Sequence, residues 1–155
     1  MTPPTPTPAP PTLAAGGDGV RTVLVEVSIE RRPGPGPGGI SEADAAWPGR
    51  LRRIMRAGLT YWRQPAVIDS AELLLTELVT NALRHGPDHN IDVRVHLRSG
   101  RCVIAVTDGS SDRPELRDPG PTEEGGRGLL LVDALACAWG VSSDGTTTWC
   151  ALPLN

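Results

Sequence analysis

The chain has 155 residues and a formal net charge of −3, so a single domain is expected, without the basic surface of a nucleic-acid-binding protein. All 15 basic residues are arginine, which excludes lysine-based catalysis and a Walker-type phosphate loop. The N-terminus has no signal-peptide pattern, and no stretch approaches the ~20 apolar residues of a membrane helix. We therefore expect a cytoplasmic protein.

Residues 1–19 are rich in proline, threonine, alanine and glycine and carry almost no charge. This composition predicts a disordered tail with polyproline II character, and a docking motif is the alternative. The alternating run 21–30 predicts a strand. The Pro-Gly run 31–39 predicts a loop. A folded domain is thus expected over residues 20–155.

Two helices are predicted next. The first spans roughly Ala45 to Trp62, with Pro48 tolerated only in its first turn. The second spans about 66–84 and ends at the Gly-Pro that follows His85. The expected apolar stripe of the first helix is Leu51, Ile54, Met55, Leu59 and Trp62.

The C-terminal half predicts more strands than helices. Runs 91–98 and 101–108 alternate and are separated only by Ser99-Gly100, which indicates a hairpin. The further expected elements are a loop at 109–127, a helix at 128–139, and strands at 140–143 and 147–154. This order predicts an α+β fold, a two-layer α/β sandwich with a mostly antiparallel sheet covered by helices.

A line of polar residues runs along one side of the second predicted helix. On a helical wheel Ser70, Glu77, Asn81 and Arg84 cluster opposite a broad apolar arc. Glu77 and Asn81 are four residues apart and therefore face the same way. An ordinary solvated helix face explains the pair when it is considered alone.

Other single features are equally ambiguous by themselves. Asp108 ends an apolar strand before Gly109, where it could cap a turn or accept a hydrogen bond from a ligand amine. Glycines at 125, 126 and 128 precede an apolar helix, a pattern that suits an anion site. The three cysteines lie in separate apolar runs and are expected to be small buried hydrophobes. His96 alternates within a strand and is expected at the surface.

In this order and spacing, the features resemble the GHKL (histidine kinase-like) ATPase superfamily over about residues 45–155. Glu77-x-x-x-Asn81 looks like its N-box, and "DGSSD" from Asp108 looks like its G1 box. "GGRGLLLV" looks like its G2 box. Within the superfamily the chain is most similar to the short anti-sigma-factor serine kinases of actinobacteria. The resemblance implies the Bergerat ATP-binding fold.

The resemblance also implies roles for individual residues. Asn81 matches the Mg²⁺ ligand, and Glu77 matches the general base. Asp108, beside Gly109, matches the carboxylate that accepts the adenine amine, and Thr147 matches the adenine-side threonine. The G2 residues expected at the phosphates are Gly126, Arg127, Gly128 and Leu129. The loop 109–127 matches the lid.

Two departures from the superfamily pattern stand out. Ser110 occupies a position where the G1 box usually has glycine. Thr146 occupies a position where the anti-sigma type often has a basic residue, so Arg127 is the best candidate for a compensating cation.

Two functions follow from the resemblance. The first is an ATP- and Mg²⁺-dependent serine/threonine protein kinase that acts as an anti-sigma factor, binding a sigma factor and phosphorylating a Ser-bearing antagonist. The second is an ATP-gated protein-binding module with little or no kinase activity. Retention of Glu77 favours the first, and the altered G1 box favours the second. A homodimer is left open, and neither a nucleic acid nor a membrane is expected as a partner.

Overall fold

The computed structural model describes residues 21–32, 39–85, 90–109, 132 and 134–154. The predicted tail and most of the loop 109–127 lie outside these residues, as do 33–38 of the first loop and the beginning of the third predicted helix. The described elements are β1 (Thr22–Ile29), α1 (Glu42–Ala45), α2 (Trp47–Tyr61), a 3₁₀ turn (Pro65–Val67), α3 (Ile68–His85), β2 (Ile91–Arg98), β3 (Arg101–Thr107), β4 (Ala138–Val141) and β5 (Thr147–Pro153).

The five strands form one antiparallel sheet in the order β1-β2-β3-β5-β4. Ser99 and Gly100 join β2 to β3 with φ values of 50° and 74°. Positive φ at both central positions is what a two-residue hairpin turn of type I′ requires. The predicted hairpin and the predicted α+β class with an antiparallel sheet are therefore confirmed.

Helices α2 and α3 cover one face of this sheet. The apolar arc predicted for the second helix is buried in full, which confirms the helical periodicity from which it was inferred. Its members are Val67, Ile68, Ala71, Leu74, Leu75, Leu78, Val79, Ala82 and Leu83. Helix α3 packs mainly across β3 and β5, so its position is set by the centre of the sheet.

The first predicted helix is confirmed as α2, with Pro48 in its first turn. Its apolar stripe is narrower than predicted. Leu51, Met55 and Leu59, spaced four residues apart, are fully buried. Ile54 and Trp62 are each 47% exposed, because only one row of the helix reaches the sheet.

A close contact joins α2 to the edge strand β1. A β-bulge between Val23 and Val25 leaves Leu24 without a partner in β2. Leu24 packs against α2 at Gly58, where an added Cβ would lie 2.9 Å from the Leu24 Cδ2 atom. Glycine at position 58 therefore permits the strand and the helix to approach this closely.

The predicted C-terminal end of the third helix, at residue 139, is wrong. Residues 132, 134 and 135 are helical, but residues 136 and 137 are not, and strand β4 already begins at Ala138. The Cys137 N–H donates to the Ala151 carbonyl at 2.9 Å, and Trp139 lies opposite Cys150. Pairing with β5 thus takes up the backbone groups that a longer helix would have used, and β4 falls two residues before the predicted strand.

The face of the sheet opposite the helices is here called the outer face, and it carries its own small apolar cluster. The cluster consists of Val103, Trp149 and Ala151, with the partly buried Ala105 and Ala138 beside them. His96 projects to the same side of the sheet as Val103, its partner in β3. It is only 4% exposed, so the expected surface position is wrong.

The cysteines divide into two groups. Cys102 and Cys150 are buried, as expected, and burial raises the pKa of the Cys102 thiol to about 12. Cys137 is exposed, which corrects the expectation for that residue, and its thiol donates to the Ala151 carbonyl at 3.2 Å. Within the described ranges, no helix is long and apolar enough to cross a membrane.

Candidate functional site

Helix α3 places Glu77 and Asn81 one turn apart on the same side. Both side chains are half-buried, whereas the flanking Leu78, Val79 and Ala82 are buried in the core. The carboxylate and the amide therefore lie at the border of the packed face rather than on the most exposed part of the helix. These two residues are called the Glu77–Asn81 line below.

A second polar flank of α3 has a structural role. Arg56 of α2 binds Glu72 through two hydrogen bonds of 2.6 and 3.1 Å. Arg52 donates to the Thr76 hydroxyl at 2.9 Å, and that hydroxyl donates to the Glu72 carbonyl at 2.7 Å. The hydrogen bond from Arg56 lowers the pKa of Glu72. Glu72 and Thr76, the α2-facing flank, thus join the two helices.

At the C-terminal end of α3, the guanidinium of Arg31 donates to the Leu83 carbonyl. The last carbonyls of a helix have no partner within the helix, so a cation at this end stabilises it. Sequence analysis missed this contact because Arg31 lies 52 positions earlier, in a segment assigned only as a loop.

Asp108 lies directly after β3, and its backbone N–H donates to the Thr146 carbonyl at 3.0 Å. Gly109 follows with φ of 72°, a left-handed conformation that favours glycine. Residues 102, 104 and 106 point into the helix-covered core, so strand alternation assigns Asp108 to that same side of the sheet. The carboxylate proposed for ligand recognition is therefore on the side that carries α3.

The turn between β4 and β5 fixes the backbone opposite Asp108. The Asp144 carboxylate accepts hydrogen bonds from the Ser142 hydroxyl at 2.5 Å, the Thr146 N–H at 3.1 Å and the Thr146 hydroxyl at 2.8 Å. The bond from Ser142, followed by those from Thr146, lowers the pKa of Asp144 to about 2. Thr146, one of the two departures noted in the sequence, thus has a structural partner in this turn.

Thr147 lies opposite Thr107, and their hydroxyl oxygens are 2.7 Å apart. Alternation along β5 places Thr147 on the same side as Trp149 and Ala151, which belong to the outer face. Asp108 and Thr147 therefore lie at the same end of neighbouring strands but on opposite sides of the sheet. The adenine-side role of Thr147 stays a prediction, and its hydroxyl already has a protein partner.

Four predicted site residues lie outside the described parts of the chain: Gly126, Arg127, Gly128 and Leu129. The described residues form a cleft of about 460 Å³ elsewhere, between the end of β1 and the start of α2. None of the predicted site residues lines it, so we do not assign it to the candidate site. Its lining residues are Ser28, Glu30, Arg31, Arg32, Ala43, Asp44, Trp47 and Arg50.

Among the described residues, no three His, Cys, Asp or Glu side chains come together as a metal site. Asn81 offers an amide oxygen, a hard ligand. Mg²⁺ in nucleotide sites commonly takes one or two protein ligands, with phosphate oxygens and water completing the shell. The donor set on α3 therefore fits an ion that arrives with a nucleotide and does not fit a permanent metal centre.

Comparison with known proteins identifies the domain that this site belongs to. Residues 44–152, well over half of the chain, match the histidine kinase-like ATPase domain. The matched region includes α2, α3, strands β2 to β4 and all of β5 except its last residue. An uncharacterised protein of Streptomyces coelicolor is 42% identical over 76 residues, which are 46% of this chain and 71% of that relative.

Proposed function

The chain belongs to the histidine kinase-like ATPase family, and from that premise we propose that it is a serine kinase that acts as an anti-sigma factor. ATP binding, typically with Mg²⁺, is the property common to this family. The proposal adds the acceptor, a Ser-bearing antagonist protein, and the partner that is bound when the kinase is free, a sigma factor. The observation that carries it is the Glu77–Asn81 line of α3.

A kinase needs a group that positions the acceptor hydroxyl and takes its proton. The carboxylate of Glu77 lies one helical turn from the amide that we assign to the metal, so both can act on one phosphate group. A nucleotide-binding module without transfer chemistry would need Asn81 but not Glu77. The presence of a half-buried carboxylate at this position therefore supports the kinase over the binding module.

The proposed roles of the residues follow from the motifs that they match in the family. Bound Mg-ATP supplies the transferable γ-phosphoryl group. Asn81 would hold the ion, and Asp108 would accept a hydrogen bond from the adenine amine. Glu77 accepts the proton of the serine hydroxyl as its oxygen bonds to the γ-phosphorus and the bond from that phosphorus to ADP breaks. Gly126, Arg127 and Gly128 are proposed to contact the phosphates.

The test is transfer of labelled phosphate from ATP to candidate Ser-bearing antagonists, measured in a single turnover. The candidates are best taken from proteins encoded beside this chain. We expect phosphoserine on one of them, and replacement of the acceptor serine with alanine should abolish the label. ATP-dependent binding of an antagonist without transfer would replace the kinase with the ATP-gated binding module.

A further inference from the structure

The cleft between the end of β1 and the start of α2 has no role in the function proposed above. Its volume of about 460 Å³ lies within the ~300–1,000 Å³ range of small-molecule sites in proteins. Three of the side chains that line it are arginines: Arg31, Arg32 and Arg50. The cleft therefore combines the size of a ligand site with a concentration of positive charge.

Arg31 is the half-buried member of the three. Its Nη2 atom donates to the Leu83 carbonyl, whereas Nε and Nη1 are buried and have no hydrogen-bond partner among the described residues. A buried cation with unpaired donors is unfavourable unless an anion compensates its charge. In a poorly solvated site this charge acts on an anion over several ångströms, without direct contact. Arg31 therefore favours a negatively charged ligand in the cleft.

The exposed Arg50 is oriented by an aromatic ring that also lines the cleft. Its guanidinium carbon lies 5.4 Å from the centre of the Trp47 ring, which is a cation–π contact. This contact restricts the Arg50 side chain before any ligand binds, so less conformational entropy is lost on binding. Arg32, also exposed, is fixed through its backbone, because its N–H donates to the Asp44 carboxylate at 3.1 Å.

Two carboxylates of the cleft oppose the charge of the arginines. Asp44 is 1% exposed and is engaged by the Arg32 N–H, and Glu30 is exposed. The three guanidinium groups still exceed the two carboxylates by one formal charge. The first turn of α2 borders the cleft and contains no acidic residue, and no described side chain caps it. The positive end of the helix dipole therefore adds to the excess of positive charge.

We propose that this cleft binds a phosphate monoester, with the phosphoryl group among Arg31, Arg32 and Arg50 and the organic part beside Trp47. A phosphate monoester has three terminal oxygens and close to two negative charges near neutral pH, so it can engage three guanidinium groups. A carboxylate has a single charge and two oxygens, and it would leave one of the three arginines without a partner. The inference does not depend on the proposed kinase activity.

The size of the cleft favours an organic phosphate over inorganic phosphate. A phosphate ion fills only a small part of about 460 Å³, and the Trp47 ring offers apolar surface that the ion alone would leave uncovered. A free small-molecule phosphate and a phosphoserine side chain carry the same group. The experiment below distinguishes these two sources.

The test is an NMR titration of the full-length chain with glycerol 3-phosphate, in which the tryptophan indole signals are followed and Trp47 is assigned from Trp47→Phe. The titration is run with and without Mg²⁺ and a non-hydrolysable ATP analogue, which would fill the nucleotide site. We expect a saturable shift of the Trp47 signal in both conditions. Trp62, at the other end of α2, should change little, and glycerol should shift neither signal.

Matched variants locate the site. Arg50→Gln should weaken binding of glycerol 3-phosphate by about tenfold, because a charge-assisted hydrogen bond is lost. Arg53→Gln removes the same charge from the same helix, but Arg53 is exposed outside the cleft and contacts the Gly49 carbonyl, so binding should change by less than about twofold. Arg31→Gln should cause the largest loss, and its melting curve shows whether the lost contact with Leu83 impairs folding. Arg50→Gln keeps the test decisive if it does.

Three results would overturn the proposal. They are an unchanged Trp47 signal at millimolar glycerol 3-phosphate, displacement of the ligand by the ATP analogue, and equal weakening by Arg50→Gln and Arg53→Gln, which would indicate unspecific attraction to charge. A parallel titration with a phosphoserine peptide and its unphosphorylated form identifies the source. Tighter binding of the phosphopeptide than of glycerol 3-phosphate would support a phosphorylated protein as the ligand, and the reverse order would support a free metabolite.

Discussion

The two polar flanks of α3 look alike in sequence but lie on different sides of the helix. The α2-facing flank, Glu72 and Thr76, is bound by arginines of α2 and joins two helices. The Glu77–Asn81 line begins one residue after Thr76 and lies to the side, at the border of the core. Glu72 therefore has an identified structural contact with α2, whereas the role of Glu77 is proposed from its place beside Asn81 and from the family of the chain.

The difference between the two flanks is tested most directly by neutralising one carboxylate on each flank. Glu77→Gln keeps the shape and removes the proposed base, so phosphoryl transfer should slow by ~10²–10⁴-fold, the usual contribution of a positioned general base. ATP affinity should change little, because the bound ground state needs no base. Single-turnover transfer and calorimetry measure the two effects. Transfer at the wild-type rate would exclude Glu77 as the base.

Asn81→Ala tests the other member of the line. We expect the affinity for ATP in the presence of Mg²⁺ to fall by about tenfold or more, equivalent to ~1.4 kcal/mol or more, and its dependence on Mg²⁺ to disappear. The melting temperature should change little, since the side chain is half-buried and leaves no core cavity. Normal Mg-ATP binding by this variant would contradict the assignment.

Asp108→Asn tests whether the end of β3 belongs to the same site as the Glu77–Asn81 line. An amide cannot replace the carboxylate as an acceptor without reorientation, so ATP binding should weaken by more than ~1 kcal/mol. Preference for ATP over GTP should weaken with it. Equal affinity of the wild-type protein for the two nucleotides would remove the basis for placing adenine at Asp108.

The smallest effect is expected for Glu72→Gln, the matched control on the α2-facing flank. ATP binding and transfer should stay at wild-type levels, while the melting temperature falls slightly through loss of the contact with Arg56.

The contribution of Glu72 to stability depends on pH. Because folding lowers the pKa of Glu72, its carboxylate stabilises the folded state above the ordinary pKa of 4.5, and this contribution is lost as the pH falls below that value. Melting curves of both proteins should therefore converge in acid. Loss of transfer would show that the two flanks are not separate.

Hydrophobic periodicity predicted most of the fold. All nine residues assigned to the apolar arc of the second predicted helix are buried, and the Ser99-Gly100 hairpin has the expected backbone. Periodicity failed where pairing between distant residues decides the structure. The run that ends at Trp139 has a helical composition, but β5 takes its last residues into the sheet.

The candidate site could be predicted only in part, for a related reason. Motif spacing predicted roles for Asp108 and Thr147, but spacing does not show which side of a sheet a residue occupies. The contact between the Thr107 and Thr147 hydroxyls depends on strand register, which no local pattern specifies. The exposure of His96 was predicted wrongly for a similar reason. Alternation along a strand indicates a surface position only if the outer face is in contact with water, and His96 is buried.

The bulge at Leu24 also bears on how two copies of this chain could associate. β1 and β4 are the edges of the described sheet. A bulge and its added twist interrupt the first edge, and the second edge is only four residues long. Both features disfavour a continuous sheet built by strand addition between copies. A homodimer of this protein is therefore expected to join through faces or helices, and each copy would keep its own separate sheet.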